Sequence, residues 1–413
     1  MNTRKITYAS IVPLIGGESI GVMEALDGKL PEYVLSYTPF MGNDIHYIEY
    51  LRKKKGWKGD YAVIDTPEFE NYVPKHVDVV NSTCPCAGLS SLSVTSSADS
   101  PVNEWLYTTA EYVLSKVQPE VFWGENAPRL FSASGRPVAD KLYAIGQKYG
   151  YSLNLYFTES NLHGLCQKRP RTFYFFTKSD CAPLFKTWRR ETTTIEDLLQ
   201  IEVSDDDVMS EYITKTDPAS NSWVAYAMHA TGAKDVQDLY NKFDKSQNLI
   251  NAADKLLGQN LTEVAEWMDA NGHTHLAKRA RAMQEKVDMN KGYWSHGVTI
   301  PKGIIPAFIG AIPYTLINPF SGKYLRLRDG MRIMGMPDDF DLYGENPVSK
   351  TNHICQNVPV STARDMMNGI LEYLDGKTDF SSSSYIKQSN KNFRVESLLL
   401  DEMTSVDLDT FHT

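Results

Sequence analysis

The stretch "ITYASIVPLIGG" (residues 6–17) decides how the fold is read. Its β-branched run over 6–12 ends at Pro13 and enters Gly16-Gly17, the pattern of a strand that breaks into a tight glycine turn with a helix to follow. Moving outward, "EYVLSYT" (32–38), "YAVID" (61–65), "HVDVV" (76–80) and "EVFWG" (120–124) read as further strands. "DIHYIEYLRKKKG" (44–56) reads as a helix closed by Gly56. Ser100-Pro101 opens another, with Val102, Trp105, Leu106, Ala110, Val113, Leu114 and Val117 on one face. "RTFYFFT" (171–177) adds a strand of alternating aromatics. Strands alternating with helices at this spacing predict an α/β, Rossmann-type domain over about the first 180 residues, with a mostly parallel sheet covered on both faces. Ligands of such sheets collect at the carboxyl ends of the strands.

From about 193 to 290 the pattern changes to helical segments rich in Lys, Asp and Asn, which reads as a second, smaller domain. Gly and Pro are dense from Gly297 to Pro319, a helix is expected over Ser361–Leu374, and residues 379–413 read as a flexible tail with an apolar patch at Leu398–Leu400.

Composition excludes several classes. The chain has 413 residues, 42 Lys+Arg against 51 Asp+Glu, a net charge of −9 and 42% hydrophobic residues, which argues against disorder and against a uniformly polybasic binder. The most apolar run, Ile304–Ile317, contains two prolines and is shorter than the ~20 residues a spanning helix needs. With no signal-peptide pattern at "MNTRKITYAS", the expectation is a cytoplasmic protein, from a bacterium or a virus-infected cell, that keeps clear of membranes. Five scattered cysteines fit a reducing compartment, and Cys84 and Cys86 stand too close for a zinc pair, so no metal is expected.

Two loops carry candidate chemistry. "NSTCPCAGLS" follows the fourth strand and "GENAP" the fifth, so Cys86 and Glu125 both lie just past strand carboxyl ends. A thiolate beside a carboxylic acid suits attack on an electron-poor ring that the acid protonates as charge develops. A packed thiol and a solvated loop acid are the plainer reading of the same residues.

The wider context bears on that choice. "CPCAGLS" resembles the Pro-Cys loop of the cytosine-5 DNA methyltransferases, "GEN" (124–126) their Glu-Asn block, and "GLCQKRPRTFYFF" (164–176) their Gln-x-Arg-x-Arg block. "LRLRDGMRIMGMPDDF" (325–340) is similar to the helix that buttresses the recognition domain, and "CQNVPVSTARDM" (355–366) to the block that closes the cofactor pocket. Five blocks stand in family order, and the separations of 21, 39 and 42 residues from Asp65 through Cys86 and Glu125 to Gln167 are like the family's.

The resemblance implies an S-adenosylmethionine-dependent enzyme that flips a cytosine out of double-stranded DNA, attacks its carbon 6 with Cys86 and methylates carbon 5. It implies DNA methylation of the restriction–modification type by a monomer. Glu125 would bind or protonate ring nitrogen 3, Arg171 hold the carbonyl at position 2 and Arg169 support the loop, although both arginines also suit phosphate contact. Tyr8, Gly16, Gly17, Asp44, Asp65, Pro85, Gln356, Asn357 and Val358 would line the cofactor site, with Asp44 on the ribose hydroxyls and Asp65 on the adenine amino group. Residues 1–185 and 350–378 would form the catalytic domain, and 186–349 a largely helical target-recognition domain. There Lys278, Arg279 and Arg281 suit phosphate binding or groove entry, or else simply a solvated helical face. Ser90 and Gln167 are further candidates for DNA contact.

The chain departs from the family pattern in two places. Extra residues separate Tyr8 from the glycine turn, and Cys355-Gln356-Asn357 stands where Gly-Asn-Ser is common. The second departure leaves open a carboxylated S-adenosylmethionine as donor, giving 5-carboxymethylcytosine. RNA cytosine-5 methylation and a catalytically silent DNA-binding relative also stay open. Charge is uneven as well: residues 161–190, 272–302 and 321–332 carry net charges of +6, +4 and +3, leaving −22 on the remainder. This marks three basic segments as candidates for the DNA side.

Overall fold

The aromatic strand Pro170–Thr177 shows how the first part of the molecule is assembled. Phe173 and Phe175 enter one apolar cluster, Tyr174 and Phe176 a second one, because successive strand side chains point to opposite faces. The strand is therefore covered on both sides. In the computed structural model, which describes residues 5–90, 96–251, 260–291, 297–397 and 405–407, the chain divides into two compact units. The first comprises Met1–Thr192, Met334–Tyr343 and Gln356–Thr413, the second Thr193–Ile333 and Gly344–Cys355.

The first unit is a Rossmann-type α/β structure. Its sheet contains β1 (Tyr8–Ile11), β2 (Tyr33–Ser36), β3 (Asp60–Val63), β4 (Val79–Ser82), β5 (Val121–Asn126), β6 (Ser152–Glu159), β7 (Pro170–Thr177), β8 (Tyr385–Ser389), β9 (Arg394–Ser397) and β10 (Ser405–Asp407). The spatial order is β10-β9-β8-β6-β7-β5-β4-β1-β2-β3. Strands β3, β2, β1, β4 and β5 are mutually parallel, while β7 runs antiparallel between β5 and β6. The chain order reverses direction across the sheet between β1 and β4, where Ser10 stands opposite Asn81. Helix α1 (Gly17–Ala25) packs on α5 (Val360–Leu374), and the buried Val22, Ala363, Met366 and Ile370 share a cluster with Val79, Val121 and Trp123. Helices α3 (Glu104–Tyr112) and α4 (Arg136–Lys148) supply Leu106, Ala110 and Leu142 to the cluster on the opposite face. Helix α2 (Met41–Lys55) ends at Gly56, whose φ of 69° supplies the left-handed cap.

Three sequence expectations need correction. The fourth strand lies at 79–82 rather than 76–80. Helix α4 and strand β6, unanticipated, fill the gap between β5 and β7, with Pro137 in the first turn of α4. The segment from Asp379 is not simply a loose tail: β8 is buried along its length and pairs in parallel with β6, Ile386 opposite Asn154. Its polarity conceals this, because the polar side chains hold the backbone in place. Gln388 Oε1 accepts from Asn154 Nδ2 at 3.2 Å and from the Phe185 N–H at 3.1 Å. The patch at Leu398–Leu400 lies outside the described residues.

The second unit has its own core. Helix Leu261–Ala270 buries Leu261, Val264, Ala265 and Met268, one face at helical spacing, and Asn260 caps it by accepting from the Thr262 N–H. Helix Thr274–Asp288 turns Ala277, Ala280 and Met283 into the same cluster as Trp223, Val224 and Leu239. Short antiparallel ladders join 247–248 to 299–300 and 317–318 to 323–324. The amphipathic reading of 235–257 extends past residue 251, beyond which it lies outside the described residues.

Candidate active site

Strand direction brings the chemistry together. Glu125 lies near the carboxyl end of β5, and because β7 is antiparallel to it, with Glu125 opposite Phe173, the start of β7 delivers Arg171 to that same end. Glu125 Oε1 and Arg171 Nε are in ion-pair contact, both side chains nearly buried. Cys86 follows β4 directly after Pro85 and is partly buried. Burial pushes its thiol up, the negative charge of Glu125 adds to this, and the Arg171 and Arg169 guanidiniums oppose it. Thus Cys86, Glu125, Arg171 and Arg169 share one electrostatic environment. Arg169 is itself buried and donates through Nη2 to the Asn357 carbonyl at 3.0 Å. That partner is main chain, and the guanidinium is not displayed at a surface.

The glycine turn meets protein on both sides. Gly16 has φ of 91°, and a Cβ there would stand 2.3 Å from the Tyr47 ring. A Cβ on Gly17 would stand 2.1 Å from the Val358 carbonyl oxygen and 2.4 Å from the Asn357 amide. The Gly17 N–H donates to Asn357 Oδ1 at 2.8 Å, and Asn357 Nδ2 contacts Met336 Sδ at 3.0 Å. The two glycines are therefore required by internal packing, whatever else they approach. Val358 is buried in the same place, whereas Gln356 is exposed.

Other predicted residues are placed less simply. Tyr8 is fully buried within β1 and donates its hydroxyl to the Lys29 carbonyl at 3.0 Å. Asp44 is fully buried in the first turn of α2, where it accepts from the Leu14 N–H at 3.0 Å and from the Ser36 hydroxyl. Burial pushes its carboxyl up to about 8 against those two bonds. The carboxyl is thereby tied to both the loop after β1 and the end of β2. Asp65 is exposed past β3 and accepts from Thr38 N–H and Oγ1 at 2.8 and 3.1 Å. Gln167 is fully buried, with Nε2 on Met334 Sδ at 3.2 Å, so it is not displayed at a surface. Ser90 is half-buried after the short turn that follows Cys86.

In the second unit Lys278, Arg279 and Arg281 are exposed on one helix, Arg281 paired with Asp269. The basic segment 321–332 is different. Lys323, Arg326 and Arg328 pair with Asp217, Asp205 and Asp207, and Arg328 is buried. Much of that apparent positive charge is neutralised by acids of the same unit.

Sequence reasoning missed Glu18. It is fully buried in the first turn of α1; Asn81 Nδ2 donates to its Oε1 at 3.1 Å and to Ser19 Oγ at 3.1 Å, while Ser10 Oγ donates to Asn81 Oδ1 at 2.9 Å. An acid placed directly after a glycine pair, in an otherwise apolar helix start, was the available signal.

The sequence profile of the C-5 cytosine-specific DNA methylases matches residues 15–372. The chain belongs to that family. It is a DNA methyltransferase whose family implies an S-adenosylmethionine-type methyl donor. A prophage-encoded DNA modification methyltransferase of E. coli has a similar fold, at 15% identity and a TM-score of 0.56, covering 90% of this chain and 99% of that one. The Entamoeba histolytica methyltransferase EhMeth is similar at 12% identity and a TM-score of 0.51, covering 90% and 99%. A search of curated protein sequences finds no match. No helix among the described residues is long and apolar enough to cross a membrane.

Proposed function

We propose that this methyltransferase flips a cytosine from double-stranded DNA and methylates its carbon 5 by covalent catalysis at Cys86. The observation that carries the reading is the convergence of Cys86, Glu125 and Arg171 on one strand-end site. The Cys86 thiol loses its proton and adds to carbon 6. Glu125 supplies a proton or hydrogen bond to ring nitrogen 3, so the electron pair pushed into the ring makes carbon 5 nucleophilic. Arg171 holds Glu125 in place and faces the carbonyl at position 2, and Arg169 fixes the loop through Asn357. When bound, the donor supplies a methyl group on a positively charged sulfur that departs as a neutral thioether. After carbon 5 gives up its proton to solvent, the Cys86–carbon 6 bond breaks, any proton taken up by nitrogen 3 returns to Glu125 and the thiolate is restored.

The residues suit such a donor: the glycine turn and α1 open at the β1–β4 switch point, and Glu18 places a carboxyl oxygen without a hydrogen-bond partner there. A carboxylated donor gains no support, since Gln356 is neutral and exposed. The exposed Lys278 and Arg279 support a DNA-facing role for helix Thr274–Asp288 within a recognition unit. Replacing either by Ala is expected to lower the slope of log affinity against log salt by about 1.

The test is to incubate the protein with duplex DNA and S-adenosylmethionine, then weigh the released nucleosides. 5-Methyldeoxycytidine is expected, and sequencing of the methylated sites then gives the target. Product in RNA alone, or DNA binding with no modified nucleoside, would overturn the proposal in favour of an RNA enzyme or a silent relative.

A further inference from the structure

Glu18 presents a buried carboxyl that the reaction outlined above does not use. Its Oε1 is held by Asn81, and the Thr83 hydroxyl and the Ser82 backbone beside it favour its charged form, while Oε2 is buried with no hydrogen-bond partner of normal geometry. A buried carboxyl with no cation beside it resists ionisation, and a cation placed there would relieve that cost. The charged and titratable groups that act on it come from three elements: Glu125 of β5, Cys84 of the loop after β4, and Tyr174 of β7. None is a cation.

Its position identifies what would complete it. Glu18 follows the glycine turn at the carboxyl end of β1 and faces the carboxyl end of β4, the crevice where the chain order reverses and where ligands of such sheets bind. It also feels the charge of Glu125, the acid placed at the target base. A methyl group must be handed to a ring carbon held between Cys86 and Glu125, so the donor's positive sulfur has to come to rest close to this centre. We propose that Glu18 is a donor-binding residue that recognises the positive charge of the sulfonium and does not recognise the neutral thioether left after transfer.

This rests on the methyltransferase reading and adds to it a means of discriminating substrate from product. In the free enzyme, burial and the Glu125 charge push the Glu18 carboxyl up to about 8, so it holds a proton at neutral pH. Arrival of a cation beside it releases that proton to solvent; departure of the thioether lets it return. Proton balance is thus closed over a turnover, and the product leaves a site that has become neutral.

The test uses the full-length protein and isothermal titration calorimetry with S-adenosylmethionine and S-adenosylhomocysteine, each in buffers of different ionisation enthalpy at pH 7. For the wild type, binding of the sulfonium is expected to release a proton, seen as a buffer-dependent enthalpy, and binding of the thioether to release none. Glu18→Gln is expected to abolish the release and weaken sulfonium binding about tenfold, with thioether binding within about twofold. Equal losses for both ligands, or proton release that persists in Glu18→Gln, would overturn the inference. Should the variant fail to fold, wild-type binding of the sulfonium with no buffer dependence overturns it equally. A wild type that binds neither ligand would overturn the donor reading itself.

Discussion

The proposed base-facing and donor-facing ends of the first unit hold their residues by different physics. At the base end, Cys86, Glu125 and Arg171 come from three backbone segments and influence one another through charge: a thiol pushed up by burial and by Glu125 and pulled down by two arginines. At the donor end, Gly16, Gly17, Asp44 and Asn357 are fitted by shape, with hydrogen bonds closed internally and no space for one further carbon at either glycine. A site governed by charge should suffer most from substitutions that keep size and change chemistry. One governed by shape should suffer from an added methyl and tolerate an isosteric change of charge where its bonds close internally, as at Asp44; Glu18, with Oε2 left without a partner, is the exception.

The largest effect should follow Cys86→Ser, which barely alters volume. Turnover is expected to fall about a thousandfold or more, while DNA retention in a gel shift stays intact; persistence of near-normal turnover would break the comparison at its strongest point. Glu125→Gln, also isosteric, should lower turnover about a hundredfold, and the loss should be read in single-turnover rates and not in donor affinity. At the other end, Gly17→Ala should destabilise the protein by about 2 to 3 kcal/mol, measured as a lowered thermal midpoint, and should weaken donor binding as Asn357 is displaced. The smallest effect is expected for Asp44→Asn. Because the folded-state pKa lies above the unfolded one, Asp44 lowers stability as pH rises from about 4 to about 8 and adds no further change above that. The variant should therefore match the wild type best below about pH 4, show a flatter stability profile from there toward pH 8 and bind donor nearly as well. A tenfold or greater loss of donor affinity would return Asp44 to a ribose-binding role.

This division also accounts for what could be read from the amino acids alone. The Rossmann-type strands were legible because both of their faces are buried, which leaves runs such as "YASIV" and "RTFYFFT" almost wholly apolar or aromatic. Cys86, Glu125 and Arg171 could be singled out because the chemistry proposed for them requires particular residue types at strand ends. The packing role of Gly17 was not, since it depends on Asn357, a residue 340 positions away. Nor was β8, whose Gln388 and Asn390 look like loop residues until their amides are seen closing backbone groups beside β6. The basic segment 321–332 misled for a related reason: its acids are supplied by residues 205–217, so local counting saw only half of each pair.

The bond between the Gly17 N–H and Asn357 has a consequence for how the enzyme comes into being. The turn emerges from the ribosome 340 residues ahead of the amide that closes it. A chain that has not yet reached Asn357 lacks the clasp on its own glycine turn. Closure of the glycine turn is thus tied to synthesis of the segment around Asn357: Gly17 waits for a residue 340 positions further along the chain.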